Sequence, residues 1–287
     1  MRRIQLKAAA KLNFSLNIIG KRPDGYHEMD MVMQTVDLYD RVELVRDGEI
    51  SVCSGGSPDG PANLAWKAAE AFFTAAGITG GVAIRLEKRI PAQAGMAGGS
   101  ADAAAVLTGL NLLYNAGLSP EALRDAGVSV GADVPYCLVG GTARVRGIGE
   151  RVEPAPPLTV GELVVVKPPF GISTAEAFHR FDRATGWNSP DNAALLDAMA
   201  RGGLEELAPF MENVLEQSEG NSEVERIRRA LLQNGALAAR MTGSGSAVFG
   251  VFREKSAAER CVVSLSGEGQ IFVARPVSRG VEILSAE

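Results

Sequence analysis

Alternating apolar and charged side chains predict a strand in the first third of the chain. Within residues 82–90 the apolar side chains alternate with charged ones, which is the period-two pattern of a half-buried strand. Pro91 follows, and a proline lacks the backbone N–H that a continuing strand would use. We therefore expect this strand to end at Ile90, directly before a glycine-rich segment.

Apolar residues at helical spacing predict two helices on either side of that strand. The segment 62–76 carries such a pattern, and Gly77 follows it as a stop signal. The segment 101–114 is rich in alanine and leucine and presents an apolar face, so it should pack against a core.

A proline-rich stretch divides the pattern near the middle of the chain. Three prolines fall within four positions of the segment 153–161, and such a segment resists both helix and central strand. We place a boundary there, between an N-terminal ATP-binding lobe (1–157) and a C-terminal substrate-binding lobe (158–287). The later pattern predicts strands at 163–167, 247–252 and 271–275, and helices at 191–201, 203–218 and 222–234. Strands interleaved with helices indicate an α+β fold.

Composition narrows the class of protein. Hydrophobic residues make up 46% of the chain and charged residues 22%, which excludes a largely disordered protein. The 29 basic and 34 acidic side chains give a net charge of −5, opposite to the balance expected of a nucleic-acid binder. Any phosphorylated ligand must therefore be held locally, by a few cations and backbone amides.

The composition also bears on where in the cell the protein acts and on whether it binds a metal. No apolar run of about 18 residues is present, and Lys7 and Lys11 interrupt the only stretch that resembles a signal peptide. The three cysteines are far apart, and two histidines are too few for a histidine-rich metal site. We expect a cytoplasmic enzyme, monomeric or a weak homodimer, with no protein-bound metal cluster and no membrane or nucleic-acid partner.

The segment 91–111 is the most informative local feature. Gly95, Gly98 and Gly99 follow the predicted strand, and Ser100 opens the predicted helix. Glycines let a backbone approach a ligand closely, and a helix start adds unpaired N–H donors that suit a phosphate. The pattern matches neither the P-loop nor the dinucleotide-binding fingerprint. Taken alone, it fits a phosphate-binding loop and a plain connection with Ser100 as the helix cap about equally well.

Three further segments supply context. The segment 8–40 sets Lys11 and Asn13 on alternate positions of a strand and then presents Tyr26 and His27 after a turn. The segment 131–150 contains an aspartate between small residues, and the segment 241–252 is a second glycine-rich loop. The residues singled out in these last two segments are Asp133, Gly243, Ser244 and Gly245.

Together, the four segments resemble the GHMP kinase superfamily and follow its order along the chain. The resemblance implies a two-lobed α+β fold with the active site in the cleft between the lobes. It also implies a small-molecule kinase that transfers a phosphoryl group from ATP, with Mg²⁺, to a hydroxyl of its acceptor. The segments 8–40 and 131–150 resemble the branch whose acceptor is a cytidine diphosphate conjugate, 4-diphosphocytidyl-2-C-methyl-D-erythritol. That branch phosphorylates the acceptor's 2-hydroxyl in the non-mevalonate route to isoprenoid precursors.

The resemblance also implies a role for each matching residue. Asp133 would be the general base and Lys11 its charge partner. The residues implied around ATP are Gly95, Gly98, Gly99 and Ser100 at the phosphates, and Asn63 and Lys67 near the adenosine. The residues implied around the acceptor are Tyr26, His27 and Phe178 at the cytosine, Asn13 at the hydroxyls, and Gly243, Ser244 and Gly245 near the phosphates. Asn63 and Lys67 also fit an exposed helix start and an ordinary helix lysine. Asp102 fits either a magnesium ligand or a first-turn acid that favours the helix dipole.

The sequence departs from the family pattern inside the first glycine-rich loop. Ala97 replaces a glycine and Ala101 replaces a serine, and an alanine at position 97 would be strained if that position required a positive φ. Two alternatives therefore stay open. The first is a GHMP kinase for another acceptor, namely homoserine, mevalonate or a sugar. The second is a nucleotide-binding protein without catalysis.

Overall fold

The computed structural model describes residues 1–55, 59–158 and 161–287. In these ranges the strands form one sheet of seven and one sheet of four. The first sheet contains β1 (Arg3–Lys21), β2 (His27–Asp47), β3 (Ser51–Cys53), β4 (Gly81–Glu87), β5 (Thr142–Gly147) and β6 (Arg151–Pro154). The second contains β7 (Glu162–Lys167), β8 (Ala238–Met241), β9 (Val248–Phe252) and β10 (Gln270–Ala274). The last strand, β11 (Val281–Ala286), returns to the first sheet and pairs with β1.

The helices pack against these two sheets. The helices that precede β7 are α1 (Leu64–Ala76), α2 (Gly98–Leu113), α3 (Pro120–Val130) and α4 (Val134–Val139). Those that follow β7 are α5 (Thr174–Phe181), α6 (Asn192–Arg201), α7 (Leu204–Leu207), α8 (Val214–Glu219), α9 (Ser222–Gln233) and α10 (Lys255–Ser264). In the part of the chain that the structure describes, no helix is both long and apolar enough to cross a bilayer.

Strand β2 changes partners along one edge. The strand pairs with β1 over nearly its whole length, but on its other edge it pairs with β5 over 29–34 and with β4 over 41–47. Between these two pairings, residues 35–37 bond to the segment 275–277. Asp40, which follows, lies next to the first residue of α2.

The small side chains of helix α2 let it pack closely against the sheet. Ala101, Ala103, Ala104 and Ala105 are fully buried. At Gly109 an added Cβ would stand only 2.5 Å from the side chain of Leu44 on β2, so glycine permits the close approach. The alanine-rich pattern that predicts this helix is therefore the pattern of a helix buried on most of its sides.

Several predicted element boundaries need correction. Helix α2 begins at Gly98, so Ser100 lies inside the helix and does not cap it. The predicted helix 203–218 is interrupted, because Pro209 lies between α7 and α8 and cannot donate a helical hydrogen bond. The predicted strand 82–90 ends at Glu87, because a carboxylate of Asp40 binds the next backbone amides and takes them out of the ladder.

The predicted lobe boundary falls between β6 and β7, within a segment whose residues 159 and 160 lie outside the described ranges. The prediction also assigned everything after residue 157 to the second lobe. Strand β11 departs from that division, because it hydrogen-bonds to β1 at the edge of the first sheet.

Candidate active site

A cleft with a volume of about 810 Å³ lies between residues of the first sheet and loops that adjoin the second. Its walls come from the β1–β2 hairpin, the segment 91–97, the starts of α1, α2 and α4, and the loops before α5 and after β8. The predicted site residues that line it are Lys11, Asn13, Asn63, Gly95, Gly98, Gly99, Asp133, Phe178, Gly243, Ser244 and Gly245. The structure thus collects in one cleft residues that lie up to 234 positions apart, from Lys11 to Gly245.

Lys11 and Asp133 meet in this cleft. The ammonium of Lys11 is buried and lies 3.8 Å from Asp133 Oδ2. It also donates hydrogen bonds to Asn13 Oδ1 at 2.7 Å and to the Gly95 carbonyl at 2.8 Å, which fix its position. Asp133 precedes the short helix α4, and its side chain is 31% exposed, so a ligand can reach the carboxylate.

The segment from Pro91 to Ala97, hereafter the first glycine loop, has a conformation that explains its glycine content. At Gly95 φ is +70°, and an added Cβ would overlap the backbone of Thr242. Ala97 has φ +59°, the left-handed conformation that costs an alanine roughly 1–2 kcal/mol. Directly after it, the first turn of α2 leaves N–H groups without helical partners beside the cleft.

The second glycine-rich segment packs on the first glycine loop. The Thr242 hydroxyl donates to the Gly95 carbonyl at 3.2 Å, and the Ser246 amide donates to the Gln93 carbonyl at 3.3 Å. Ser244 lies 3.0 Å from the hydroxyl of Thr174 at the start of α5. The two loops therefore form one continuous wall that joins the two sheets.

Ser100 and Lys67 do not reach the cleft. The Ser100 hydroxyl faces Gly131, where an added Cβ would stand 3.8 Å away, just upstream of Asp133. Lys67 is exposed on α1, beside a separate shallow depression that it shares with Glu70. In contrast, Asn63 lines the cleft and caps α1 through a 2.9 Å bond from the Ala65 amide.

Two of the three residues predicted for the cytosine, His27 and Phe178, contact each other, and Phe178 lines the cleft. The rings of His27 and Phe178 stack with centroids 4.7 Å apart, and His27 Nε2 lies 2.7 Å from Asp182 Oδ1. Phe178 was predicted for the face of the base opposite Tyr26, but its ring contacts His27 directly. Tyr26 is 60% exposed at the turn before β2 and does not line the cleft.

Sequence reasoning missed a buried ionic cluster at the cleft's other end. The ammonium of Lys88 donates to both Asp40 and Asp102. Asp102 lies in the second turn of α2, so it is not the first-turn acid that one interpretation required. Burial raises the pKa of Asp102 above its usual range, although Lys88 acts to lower it. No local pattern signals this cluster, because its carboxylates are 62 positions apart.

The sequence analysis also did not predict the apolar wall of the cleft. Met29, Met31 and Met33 alternate along β2 and line the cleft. Their period-two spacing within the run HEMDMVM is a signal that could have identified them.

The carboxylates among the residues that line the cleft are Asp102, which is occupied by Lys88, and Asp133. Within 1–55, 59–158 and 161–287, no group of three or more His, Cys, Asp or Glu side chains could hold a metal ion. Magnesium commonly binds through one or two carboxylates together with substrate phosphates and water, so it needs no protein cage. The exposed carboxylate of Asp133 beside a phosphate-sized, glycine-lined wall fits that mode.

Comparisons with known proteins agree with this arrangement. The family model for the GHMP kinases N terminal domain matches residues 63–141, and that for GHMP kinases C terminal matches 193–270. A 4-diphosphocytidyl-2-C-methyl-D-erythritol kinase from Carboxydothermus hydrogenoformans is 44% identical over 95% of this chain and 96% of its own. One from Clostridium tetani is 42% identical over 96% of this chain and 100% of its own.

A solved structure gives the same result. The crystal structure of a 4-(cytidine 5'-diphospho)-2C-methyl-D-erythritol kinase superposes with a TM-score of 0.80 at 33% identity, covering 95% of this chain and 98% of the other. The shared length, the identity and the site geometry lead to one conclusion: the chain belongs to the GHMP kinases, in the family of the 4-diphosphocytidyl-2-C-methyl-D-erythritol kinases.

Proposed function

We propose that this chain transfers the γ-phosphoryl group of ATP to the 2-hydroxyl of 4-diphosphocytidyl-2-C-methyl-D-erythritol. The names of its full-length relatives support the substrate. The observation that carries the chemistry is the Lys11–Asp133 pair, in which Lys11 also bonds to the Gly95 carbonyl of the first glycine loop. We expect the protein to act in the cytoplasm as a monomer or weak homodimer.

The first glycine loop and the start of α2 would bind the phosphates of ATP. The unpaired N–H groups at Gly98 and Gly99, together with the positive end of the helix dipole, suit an anion. Ser100 lies just behind them, and Asn63 would face the nucleoside from the start of α1. Because Lys67 points away from the cleft, we do not include it in the proposed ATP site.

Asp133 would accept the proton of the attacking hydroxyl. Phosphoryl transfer requires mainly positioning, charge neutralisation and such a proton acceptor. Lys11 would keep a positive charge next to the transferred group, and its bonds to Asn13 and Gly95 spare it reorganisation during the reaction. Magnesium carried by the ATP phosphates would neutralise charge on them, and the exposed carboxylate of Asp133 could hold it, whereas the Ser100 hydroxyl faces Gly131.

The His27–Phe178 cluster would receive the cytosine. Tyr26 is free to cover the base from the hairpin turn, and an aromatic face contributes roughly 1–3 kcal/mol when a base stacks on it. The bond between His27 Nε2 and Asp182 fixes the orientation of the imidazole. Gly243, Ser244 and Gly245 would border the acceptor's diphosphate between this cluster and Asp133. In this proposal the N-terminal lobe binds ATP and the second sheet contributes to the acceptor side.

One assay tests the proposal against its alternatives. Purified protein is given ATP, Mg²⁺ and one acceptor at a time from a panel of the cytidyl conjugate, homoserine, mevalonate and a sugar, and ADP release is followed. We expect ADP release with the cytidyl conjugate alone. Turnover with another acceptor would replace the proposed substrate, and ATP binding without turnover on any acceptor would indicate a binding protein without catalysis.

A further inference from the structure

The two ends of the first glycine loop are joined by a buried ionic cluster. The loop leaves from the segment after β4, which contains Lys88, and it enters α2, which contains Asp102. The Lys88 ammonium donates to Asp102 and to Asp40 on β2, and both carboxylates are almost completely buried. The Lys88 ammonium therefore joins the strand side of the loop, through Asp40, to its helix side, through Asp102.

Asp40 holds the strand side of the loop. Its Oδ1 accepts the backbone amides of Arg89 at 2.5 Å and Ile90 at 2.8 Å, while its Oδ2 accepts the Lys88 ammonium. A Cβ added to Gly98 would stand 3.5 Å from Asp40 Oδ2 and 3.0 Å from Ile90. The first residue of α2 thus lies directly over this carboxylate.

Asp102 holds the helix side. One of its oxygens accepts from Lys88, and the other is buried without a hydrogen-bond partner among the described residues. Lys88 and Asp102 also line the end of the cleft that contains Asn63. Without the lysine, two buried carboxyl groups would lie beneath the loop with no cation to join them.

We propose that Lys88, Asp40 and Asp102 are positioning residues for ATP: they fix the spacing between the end of β4 and the first turn of α2, and with it the direction of the N–H groups that bind the phosphates. The inference rests on the proposed ATP site and goes beyond it, because none of the three residues needs to touch the reacting atoms. Because this cluster positions only the loop that would bind ATP, disrupting it should weaken ATP binding and leave the affinity for the acceptor nearly unchanged.

The test compares Lys88→Met with a matched control, Arg144→Met. Arg144 on β5 makes a half-buried ion pair with Asp30 at 2.8 Å in the same sheet, away from the loop. Calorimetry with ATP gives its Kd, steady-state kinetics give KM for each substrate, and thermal unfolding gives Tm. We expect Lys88→Met to raise the ATP Kd and KM at least about tenfold and the acceptor KM less than about threefold. The control should lower Tm and leave the ATP Kd unchanged.

Two further variants keep the inference open to refutation if Lys88→Met does not fold. Lys88→Arg, which can bridge both carboxylates, should keep the ATP Kd within about fivefold of the wild type. Asp102→Asn keeps the shape of the side chain but weakens its bond to the Lys88 ammonium, and it should raise the ATP Kd at least about threefold. An unchanged ATP Kd in Lys88→Met or Asp102→Asn would overturn the inference, and so would a Lys88→Arg protein that no longer binds ATP. Equal increases in KM for ATP and for the acceptor would also overturn it, as would an equal rise of the ATP Kd in Arg144→Met. A wild-type protein that binds no ATP would instead sink the proposed function, and this inference with it.

Discussion

At the scale of single residues, the site depends on where one ammonium and one carboxylate are held. Lys11 reaches Asp133 from a central strand, and its two other bonds leave it no freedom to follow a moving ligand. Asp133 is partly exposed and has the lysine as its charge partner. This division between a fixed cation and an accessible base suits a reaction in which the protein mainly positions its substrates.

Replacing the base should separate chemistry from binding. We expect Asp133→Asn to lower kcat by about 10²–10⁴-fold, because an amide cannot accept the hydroxyl proton, and to leave the ATP Kd nearly unchanged. Single-turnover kinetics and calorimetry measure the two effects. Asp125→Asn, an exposed aspartate on α3, serves as the control. A kcat loss below about threefold would remove Asp133 from the base role.

Two positions of the first glycine loop, Ala97 and Gly95, should both be more stable with glycine than with alanine. Ala97→Gly should stabilise the fold by up to about 1 kcal/mol, since it relieves the left-handed strain, although glycine gains entropy in the unfolded chain. Gly95→Ala should destabilise it strongly, because the new Cβ would overlap Thr242. Urea unfolding of both variants checks this prediction. A Gly95→Ala protein with wild-type stability would contradict the loop conformation.

At the scale of elements, the β1–β2 hairpin serves both ends of the proposed acceptor site. Its strand interior carries Lys11 and Asn13, and its turn carries Tyr26 and His27. The turn is tied to α5 by an ion pair from Lys21 to Asp182 and by the bond from His27 to the same carboxylate. One element thus sets the distance between the base pocket and the reacting hydroxyl.

The hairpin turn gives a prediction about substrate choice. We expect Tyr26→Ala to raise KM for the cytidyl conjugate by about tenfold or more, because it removes a stacking face, and to leave the ATP KM unchanged. The comparison variant is Tyr26→Phe, which keeps the ring and should behave like the wild type. An ATP defect in Tyr26→Ala would mean that the two pockets are assigned in reverse.

At the scale of the whole molecule, the chain passes from the first sheet to the second and then returns. Strand β11 pairs with β1, and the Val277 amide donates to the Thr35 carbonyl at 2.9 Å just before that return. Strand β1 in turn contacts the second half of the chain, since the Leu16 amide donates to the Glu212 carbonyl at 2.9 Å. Backbone hydrogen bonds therefore join the first sheet to connecting segments of the second half of the chain.

Because β11 completes the edge of β1, we expect that the predicted first lobe, residues 1–157, does not fold alone. A fragment of residues 1–157 lacks β11, which leaves the β1 edge unpaired and its side chains exposed. We expect circular dichroism to show no cooperative unfolding transition for this fragment. Adding residues 276–287 ahead of residue 1 through a flexible linker should restore one. A fragment 1–157 with a cooperative transition near the Tm of the full chain would show that the return strand is dispensable.

The parts of this molecule that could be predicted are those set by short stretches of sequence. Periodicity and Gly77 define α1, and the residues of the glycine-rich segments identify the family. Ser100 was misjudged as a cap because tertiary contacts start α2 earlier, after a strained alanine. Lys88 with its two carboxylates, and the pairing of β11, depend on contacts between distant segments. No local pattern encodes such contacts.

The Gly95 carbonyl oxygen, which accepts both the Lys11 ammonium and the Thr242 hydroxyl, has a mechanical consequence. Strand β1, the first glycine loop and the segment after β8 are joined at this one oxygen atom. A displacement of the second sheet relative to the first would strain at least one of these two bonds, so it would change the surroundings of the Lys11 ammonium.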